Sequence, residues 1–334
     1  MILFPQQEPD MQSIRVHKPG GPDALLAEET EVPRPGPGQV LVRNTAVGVN
    51  YIDVYYRDGS YPAPTPLVPG QEGAGVVESV GLQVEGFAPG DRVAYASGLG
   101  AYAEYTAVAA EKLVPVPEAV PLEQAAAVLL QGLAAHYLTH QTHPVAEGDT
   151  VVVLAAAGGL GRFLVQFAAH RGATVIAVTS SPEKEKAARE AGAQHTVGYE
   201  SFDERVREIT GGEGAHVVYD SVGAATYEAS LRSLRRRGLL ALCGLSSGPV
   251  PPLDVELLRG GGSLYLTRPT MRDHLYDAAT LRAGSAAVFD ALAAGVLRPL
   301  IHRRLPLAEA ATAHRLLEGR ETSGKLLLTP PAAS

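Results

Sequence analysis

The chain has no tryptophan and only one cysteine, Cys243, among its 334 residues. A single thiol cannot form a disulfide within the chain, which fits a reducing compartment such as the cytoplasm. No apolar run approaches the roughly 20 residues needed to cross a bilayer, and the first residues lack the basic flank of a secretory signal. The net charge of -8 argues against broad nucleic-acid binding. We therefore expect a soluble protein that acts on a small molecule.

The chain shows two different secondary-structure patterns, and a length of 334 residues is typical of about two domains. From residue 11 to about 130, short β-rich runs are broken by Gly and Pro, which predicts a compact, partly barrel-like domain. From Thr150 onwards, apolar runs such as 150–154, 174–178 and 239–243 predict strands. They alternate with helix patterns such as 162–170, which predicts a doubly wound parallel sheet. Helices and a final strand at 325–329 follow Met271. The fold class is therefore α/β with a second, β-rich domain.

The strongest motif is the segment Ala155 to Gly161, which contains A-x-G-x-x-G at Ala156, Gly158 and Gly161. Glycines at this spacing allow a tight turn and a close approach of the backbone to a pyrophosphate at a helix N-terminus. The segment follows a predicted strand and opens a predicted helix, which is the context that supports a dinucleotide site over a ligand-free turn.

The end of the second predicted strand indicates which dinucleotide is bound. An NAD site usually carries Asp or Glu there, on the ribose 2′-hydroxyl. This chain has Thr179-Ser180-Ser181 followed by Lys184, and hydroxyls with a cation suit a 2′-phosphate. The sequence therefore favours NADPH, although Lys184 could equally be a solvated lysine in the first turn of a helix.

Motifs spread from Met11 to Pro330 carry a family resemblance. They include the ten-residue run that begins Gly-Val-Asn-Tyr at residues 48–57, Pro-Gly-Asp-Arg-Val at 89–93, Tyr-Asp-Ser-Val-Gly at 219–223 and Thr-Arg-Pro at 267–269. The chain resembles the zinc-free quinone oxidoreductases, the zeta-crystallin-like group of the medium-chain dehydrogenase/reductase superfamily. The polar, proline-bearing residues 1–10 predict a loose extension before the strand pattern that begins at Met11. The resemblance implies a GroES-like catalytic domain from 11–131 and 272–334, and a Rossmann domain over 132–271.

The resemblance also implies partners and site residues. It implies a homodimer whose sheet is extended across the subunits by the strand near residues 263–267. It implies NADPH as cofactor, with Lys184, Tyr199 and Arg320 on the 2′-phosphate. We expect Asn50, Tyr55 and Tyr61 to line the substrate side, where Asn50 or Tyr55 could donate to a carbonyl oxygen. The residues expected to bind the cofactor are Asn50, Ala156, Gly158, Gly159, Leu160, Gly161, Ser181, Lys184, Tyr199, Ser221, Gly244, Ser246, Ser247, Thr267, Arg268 and Arg320.

Zinc-dependent relatives hold their catalytic metal with a Cys and a His, which are Asn50 and Gln71 in this chain. One cysteine cannot form a four-cysteine structural site, so we expect no metal. Relatives also often carry Lys-Gly-Leu-Thr beside the nicotinamide, whereas this chain has Gln131 and Ala134 at the first and last positions. Leu245 stands where a polar residue is common. These departures bear on substrate preference and not on the cofactor.

Three functions remain open. We predict an NADPH-dependent quinone reductase, because a quinone gains aromaticity on reduction and needs alignment more than a metal. An NADPH-dependent reductase of activated alkenes would use the same fold and cofactor. A non-catalytic NADPH-sensing or RNA-binding role is the third, and the acidic balance counts against RNA. The sequence leaves open the physiological acceptor, one- or two-electron transfer, and a translation start at Met1 or Met11.

Overall fold

The computed structural model describes residues 10–96 and 98–331. The chain divides into two compact units, Met1–Leu130 with Ile301–Ser334, and Gln131–Leu300. The extension expected over residues 1–10 lies outside the described residues, apart from Asp10, which begins the first strand. No helix of the described ranges combines the length and the apolar character that crossing a membrane requires.

Most of the first unit and alternate segments of the second are extended. The strands are β1 (Asp10–Arg15), β2 (Leu26–Glu31), β3 (Gln39–Val49), β4 (Glu72–Val80), β5 (Arg92–Tyr95), β6 (Tyr105–Ala109), β7 (Leu113–Pro115), β8 (Thr150–Leu154), β9 (Thr174–Val178), β10 (His195–Val197), β11 (Ala215–Asp220), β12 (Leu234–Leu242), β13 (Tyr265–Thr267), β14 (Ile301–Pro306) and β15 (Lys325–Thr329).

Helices connect the strands, mainly in the second unit. They are α1 (Tyr51–Asp58), α2 (Leu122–Tyr137), α3 (Gly159–His170), α4 (Pro182–Ala191), α5 (Phe202–Ile209), α6 (Tyr227–Arg232), α7 (Glu256–Gly260), α8 (Met271–His274), α9 (Ala278–Ala293) and α10 (Ala310–Glu318). Single 3₁₀ turns lie at Pro22–Ala24, Ala110–Lys112 and Leu307–Glu309, and a π-helical turn at Leu138–Thr142 follows α2.

The first unit is built on a mostly antiparallel sheet. Within the described residues its strand order is β14-β15-β3-β4-β5-β7, with β6 paired to β3, while β1 and β2 form a separate antiparallel pair. Alternate apolar side chains such as Val40, Val42 and Leu328 face the core. In the pairing of β15 with β3, Leu326 lies opposite Val49. This register brings the start of β15 beside the end of β3, where the polar residues described below meet.

The second unit contains a parallel sheet with the order β10-β9-β8-β11-β12-β13. Counted along the chain this is 3-2-1-4-5-6, the dinucleotide-binding order, in which ligands lie outside the carboxyl ends of the strands where the order reverses. That reversal falls between β8 and β11. Strands β8 and β11 carry apolar residues on both faces, as expected for strands covered by helices on both sides.

The predicted α/β fold class is confirmed, and the strands expected at 150–154, 174–178 and 325–329 have those bounds. Two elements differ from the sequence pattern. Helix α3 begins at Gly159, three residues before the expected Arg162, because its glycines are part of the first turn. Strand β12 begins at Leu234 and not at Leu239, because Leu234 already pairs with Ala215, and the register then shifts before Leu239 pairs with Val217.

The segment 272–300 belongs to the compact unit that contains the parallel sheet, whereas the sequence placed it in the β-rich domain. Contacts within the second unit explain the difference. The Arg298 backbone bonds the side chains of Arg162 and Gln166 on α3. A side chain added at Gly284 of α9 would press on Leu133. The unit boundary therefore follows α9, at the start of β14.

Candidate active site

The glycine-rich turn joins β8 to α3 at the carboxyl end of the parallel sheet. Ala155 adopts a left-handed backbone conformation with φ of 48°. The Gly158 N–H donates to the Ala155 carbonyl at 2.9 Å, which closes the turn. Gly158 is the N-cap of α3, so the free N–H groups of Gly159 and Leu160 lie in its first turn. Such a turn presents donors to a pyrophosphate.

Two glycines of this turn are required by close packing. A Cβ atom added to Gly161 would lie 2.3 Å from the Ala155 carbonyl oxygen and 2.8 Å from the Ala156 Cα. A Cβ added to Gly159 would lie 2.0 Å from Oε1 of Gln131, and that oxygen is buried without a hydrogen-bond partner among the described residues. A Cβ at Gly161 would meet backbone atoms, which cannot shift without distorting the turn. A Cβ at Gly159 would meet the Gln131 side chain, which can rotate away.

The end of β9 offers hydroxyls and a cation. Ser181 caps α4, because its Oγ accepts the Lys184 N–H at 3.3 Å. The Lys184 ammonium donates to the Ser180 Oγ at 3.2 Å, so this side chain folds back over the strand end. The Thr179 hydroxyl is buried without a partner among the described residues. These groups fit a ribose 2′-phosphate, which needs donors and positive charge.

Tyr199 follows β10 and bonds the glycine-rich turn, since its hydroxyl accepts the Ala155 N–H at 3.0 Å. It therefore supports the turn in addition to its expected place near the phosphate. Arg320 lies in the first unit, just after α10, with a left-handed φ of 56°. It is one of the charges that act on the Tyr51 hydroxyl, whose pKa is raised mainly by burial.

The loops after β11 and β12 contact each other, and a residue that was not predicted orders the loop after β11. Asp220 is fully buried, and its carboxylate accepts the N–H groups of Val222 and Gly223 and the hydroxyls of Thr226 and Ser230. The Ser247 N–H donates to the Val222 carbonyl at 2.8 Å.

The other residues expected in these loops lie beside them. The Ser246 N–H points at the Ser221 carbonyl at 3.4 Å. A Cβ on Gly244 would clash with that same carbonyl at 2.4 Å. Arg268, just after Thr267 of β13, donates to the Leu242 carbonyl at 3.0 Å. The structure thus brings the predicted residues of the second unit together at the carboxyl ends of its strands.

Helix α1 and the loop after it form a cluster of tyrosines in the first unit. The ring of Tyr55 lies 5.2 Å from that of Tyr61 and 5.7 Å from that of Tyr51. The backbone N–H of Tyr61 donates to the Tyr55 carbonyl at 2.8 Å, which holds the loop against the helix. All three side chains are partly exposed. The cluster offers an aromatic surface with hydroxyl donors, as a planar substrate requires.

Asn50, the N-cap of α1, is buried in a cluster with Glu72 and Lys325. The Lys325 ammonium donates to Glu72 Oε2 at 2.5 Å and to Asn50 Oδ1 at 2.6 Å, and the Asn50 amide nitrogen donates to Glu72 Oε2 at 2.9 Å. That nitrogen also faces the Gly48 carbonyl at 3.3 Å. The Asn50 amide is therefore engaged within the first unit, and donating to a substrate would require it to release one of these contacts.

A second buried chain of hydrogen bonds ends at the same helix start. Arg57 donates to Nδ1 of His314 at 3.2 Å, so the neutral imidazole carries its proton on Nε2 and donates to the Tyr102 hydroxyl at 3.0 Å. Tyr102 donates to Asp53 Oδ2 at 3.1 Å, and the Asn50 N–H donates to the same oxygen at 2.8 Å. Glu318 pairs with Arg57 through both carboxylate oxygens at 2.6 and 2.9 Å.

Burial determines which groups of this hydrogen-bonded network are charged. Desolvation raises the pKa of Asp53 to about 7, against the opposing effect of its hydrogen bond from Asn50. Desolvation, with a smaller contribution from Arg57, lowers the pKa of His314 to about 3. Asp53 therefore changes charge near neutral pH, while His314 stays neutral.

Within residues 10–96 and 98–331, no group of three or more His, Cys, Asp or Glu side chains is arranged so that it could hold a metal ion. Cys243 is partly buried, and desolvation raises its thiol pKa to about 12, which disfavours the thiolate that binds metals.

Comparisons with known proteins agree with this arrangement. The model of the alcohol dehydrogenase GroES-like domain matches residues 36–118, and the model of the zinc-binding dehydrogenases matches residues 159–279. A quinone oxidoreductase of Pseudomonas aeruginosa is 47% identical over 93% of this chain and 97% of its own. The chain belongs to the quinone oxidoreductases of the medium-chain dehydrogenase/reductase superfamily.

Two further relatives mark the range of this family. A 2-haloacrylate reductase from a Burkholderia species is 46% identical over 95% of this chain and 98% of its own. The structure of the Escherichia coli quinone oxidoreductase complexed with NADPH is similar with a TM-score of 0.94 and 40% identity, covering 96% of this chain and 100% of the other. The name of the matching dehydrogenase model refers to zinc, whereas the cysteine and histidine expected of a zinc site are Asn50 and Gln71 in this chain.

Proposed function

We propose that the protein is an NADPH-dependent quinone reductase that transfers hydride without a metal. The observation that carries the proposal is the strand end at Thr179 to Lys184, where hydroxyls and an ammonium replace the carboxylate of an NAD site. Membership of the quinone oxidoreductase family and the NADPH complex of the Escherichia coli relative support it.

The residues of the second unit fit the cofactor. The turn has no side chains at Gly158, Gly159 and Gly161, so we propose that a pyrophosphate binds against its backbone. We propose that Lys184, Tyr199 and Arg320 contact the 2′-phosphate. We also propose that the loops with Ser221, Ser246 and Ser247 border the nicotinamide end. When bound, NADPH supplies the hydride.

The chain's own residues align the acceptor and manage its charge. A quinone that takes up a hydride and a proton becomes a hydroquinone, and negative charge develops first on a carbonyl oxygen. We propose that the Tyr55 hydroxyl donates to that oxygen and that Tyr61 stacks beside the ring. Solvent supplies the proton. Alignment contributes several kcal/mol, up to about 7–11 in ideal cases.

We propose that no metal takes part. The Asn50 amide accepts from the Lys325 ammonium and donates to Glu72, so a cation already compensates the buried carboxylate of this cluster. Elemental analysis of the purified and dialysed protein tests this point, and we expect well below one zinc per chain. About one zinc per chain that survives dialysis would overturn it.

A second candidate function is the reduction of activated alkenes, because the 46% identical Burkholderia relative is a 2-haloacrylate reductase. NADPH oxidation measured side by side with 1,4-benzoquinone, larger quinones, an enal and 2-chloroacrylate separates the two. We expect kcat/KM to be highest for a quinone. Oxidation driven by the alkenes alone would assign the protein to the second function.

The cellular setting is also a proposal. We propose a cytoplasmic homodimer that has no nucleic-acid partner. The exposed Tyr265 on β13, at the edge of the parallel sheet, supports pairing with a second copy, and the single thiol and net charge of -8 support the rest. Light scattering of the purified protein tests the dimer, and a mass of one chain would exclude it.

A further inference from the structure

Three buried polar groups of the first unit form a closed triangle. Lys325, Glu72 and Asn50 have exposed fractions of 2%, 0% and 3%. Each is bonded to the other two, and Glu72 also accepts the Leu130 N–H through its second oxygen at 2.7 Å. No cofactor or substrate role was assigned to Lys325 or Glu72 by the sequence.

The triangle determines how the Asn50 amide is oriented. An ammonium has only donors and a carboxylate only acceptors. The amide oxygen must therefore face Lys325 and the amide nitrogen must face Glu72, as the distances of 2.6 and 2.9 Å require. A flipped amide would place its nitrogen against the ammonium and its oxygen against the carboxylate.

The same triangle lies at the start of α1, the helix that carries Tyr55. Asn50 is the N-cap of that helix, and its backbone N–H bonds the carboxylate of Asp53 in the first turn. Lys325 reaches this point from β15, which pairs with β3 directly before Asn50. The ammonium thus joins the C-terminal strand to the helix start.

We infer that Lys325 is a positioning residue for the reduction: its ammonium fixes the Asn50 amide and the start of α1, and through them the tyrosine surface. The inference rests on the proposed function, because turnover is one of its readouts. Lys325 does not itself touch the substrate in this account. Its effect is therefore on kcat more than on the KM for NADPH.

The test replaces the ammonium and then supplies it again. Lys325→Ala removes three methylene groups and the ammonium, which propylammonium ion can refill. We expect kcat for quinone reduction to fall by about a hundredfold, the loss that a small misplacement of a reacting group produces. The KM for NADPH should change less than twofold. Propylammonium should restore kcat with saturation, while n-propanol and sodium chloride at the same concentration should not.

Controls separate this role from a loss of folding. Lys18→Ala, an exposed lysine, and the wild type should not respond to propylammonium. If Lys325→Ala does not fold, the double variant Lys325→Met with Glu72→Gln removes both charges at similar volume, and it should fold with a similarly low kcat. A folded Lys325→Ala or double variant with wild-type kcat, or a rescue that n-propanol reproduces, would overturn the inference.

A readout without turnover distinguishes this inference from the proposed function. Hydrogen–deuterium exchange of peptides covering residues 50–58 should be faster in Lys325→Ala than in the wild type, and propylammonium should slow it again. If the wild type reduces no quinone but this exchange pattern appears, the proposed function fails and the positioning role stands. Unchanged exchange in a folded variant would contradict the positioning role.

Discussion

The two units hold their polar groups in different ways. In the second unit, the turn from Ala155 to Gly161 is one continuous segment that positions backbone donors, and its glycines are required by close packing. In the first unit, the triangle of Asn50, Glu72 and Lys325 joins residues up to 275 positions apart through their side chains. A site built on backbone tolerates side-chain change at its edge, whereas a site built on buried charges depends on each partner.

The largest expected effect tests whether the first unit contacts the substrate. Tyr55→Phe keeps the ring and removes one hydroxyl. Its loss should lower kcat by on the order of tenfold to a thousandfold if the hydroxyl stabilises developing charge. Tyr56→Phe on the same helix is the matched control and should leave kcat near the wild-type value. Equal kcat in all three proteins would make Tyr55 a packing residue only.

The next effect concerns the two cations proposed to contact the 2′-phosphate, Lys184 after β9 and Arg320 after α10. Lys184→Ala and Arg320→Ala should each weaken NADPH binding, because a charged hydrogen bond to phosphate is worth roughly 1.5–3 kcal/mol. That corresponds to around tenfold to a hundredfold in Kd. NADH, which lacks the 2′-phosphate, should bind almost as before.

The measurement is the Kd of both cofactors in each variant. Lys186→Ala, an exposed lysine two residues further along α4, is the control. Equal losses for NADPH and NADH would mean that Lys184 and Arg320 support the fold or the pyrophosphate and do not recognise the 2′-phosphate.

The sequence predicted the second unit well because its evidence is local. Strand, glycine-rich turn and helix follow one another within about 20 residues. The absence of a carboxylate after β9 can be read from the three consecutive residues 179–181. The sequence indicates no role for Asp220 beyond its place in the motif at 219–223, yet its carboxylate orders the loop that follows β11. An acid at the end of an apolar strand and three residues before a glycine is the signal that could have identified it.

The network of the first unit could not be predicted in the same way. Asn50 was expected at the site, but nothing in the sequence around residue 325 indicates that Lys325 is buried against Asn50 and Glu72. His314 and Arg57 meet through α10 and α1, and each alone resembles an ordinary surface residue of a helix. The pairing of β15 with β3 is what brings Lys325 beside Asn50.

Two glycines of the turn provide a sharper comparison of backbone and side-chain packing. Gly161→Ala forces a methyl group against the Ala155 carbonyl, which should cost about 1–3 kcal/mol in stability and weaken NADPH binding. Gly159→Ala meets only the Gln131 side chain, so its cost should be smaller.

Thermal unfolding and the Kd for NADPH, measured for both glycine variants, check this order. Adding Gln131→Ala to Gly159→Ala should recover most of the loss, and adding it to Gly161→Ala should recover none. The opposite pattern would contradict the packing account.

The last expected effect is a pH dependence of stability in the first unit. Burial raises the pKa of Asp53 to about 7, so its contribution to stability is fully present below its ordinary pKa of 3.8 and is lost as the pH rises through 7. The wild type should therefore lose stability relative to Asp53→Asn between pH 4 and 7, by at most about 1.4 kcal/mol per pH unit. Denaturant unfolding of both proteins at each pH measures it, and a constant difference would mean that Asp53 is ionised throughout.

The most direct test of the account is NADPH oxidation by 1,4-benzoquinone before and after dialysis against a strong chelator. We predict quinone-dependent oxidation of NADPH at the same rate in both samples, and a kcat/KM for NADPH well above that for NADH. Absence of quinone-dependent oxidation, or activity that chelation removes and zinc restores, would contradict a metal-free NADPH-dependent quinone reductase.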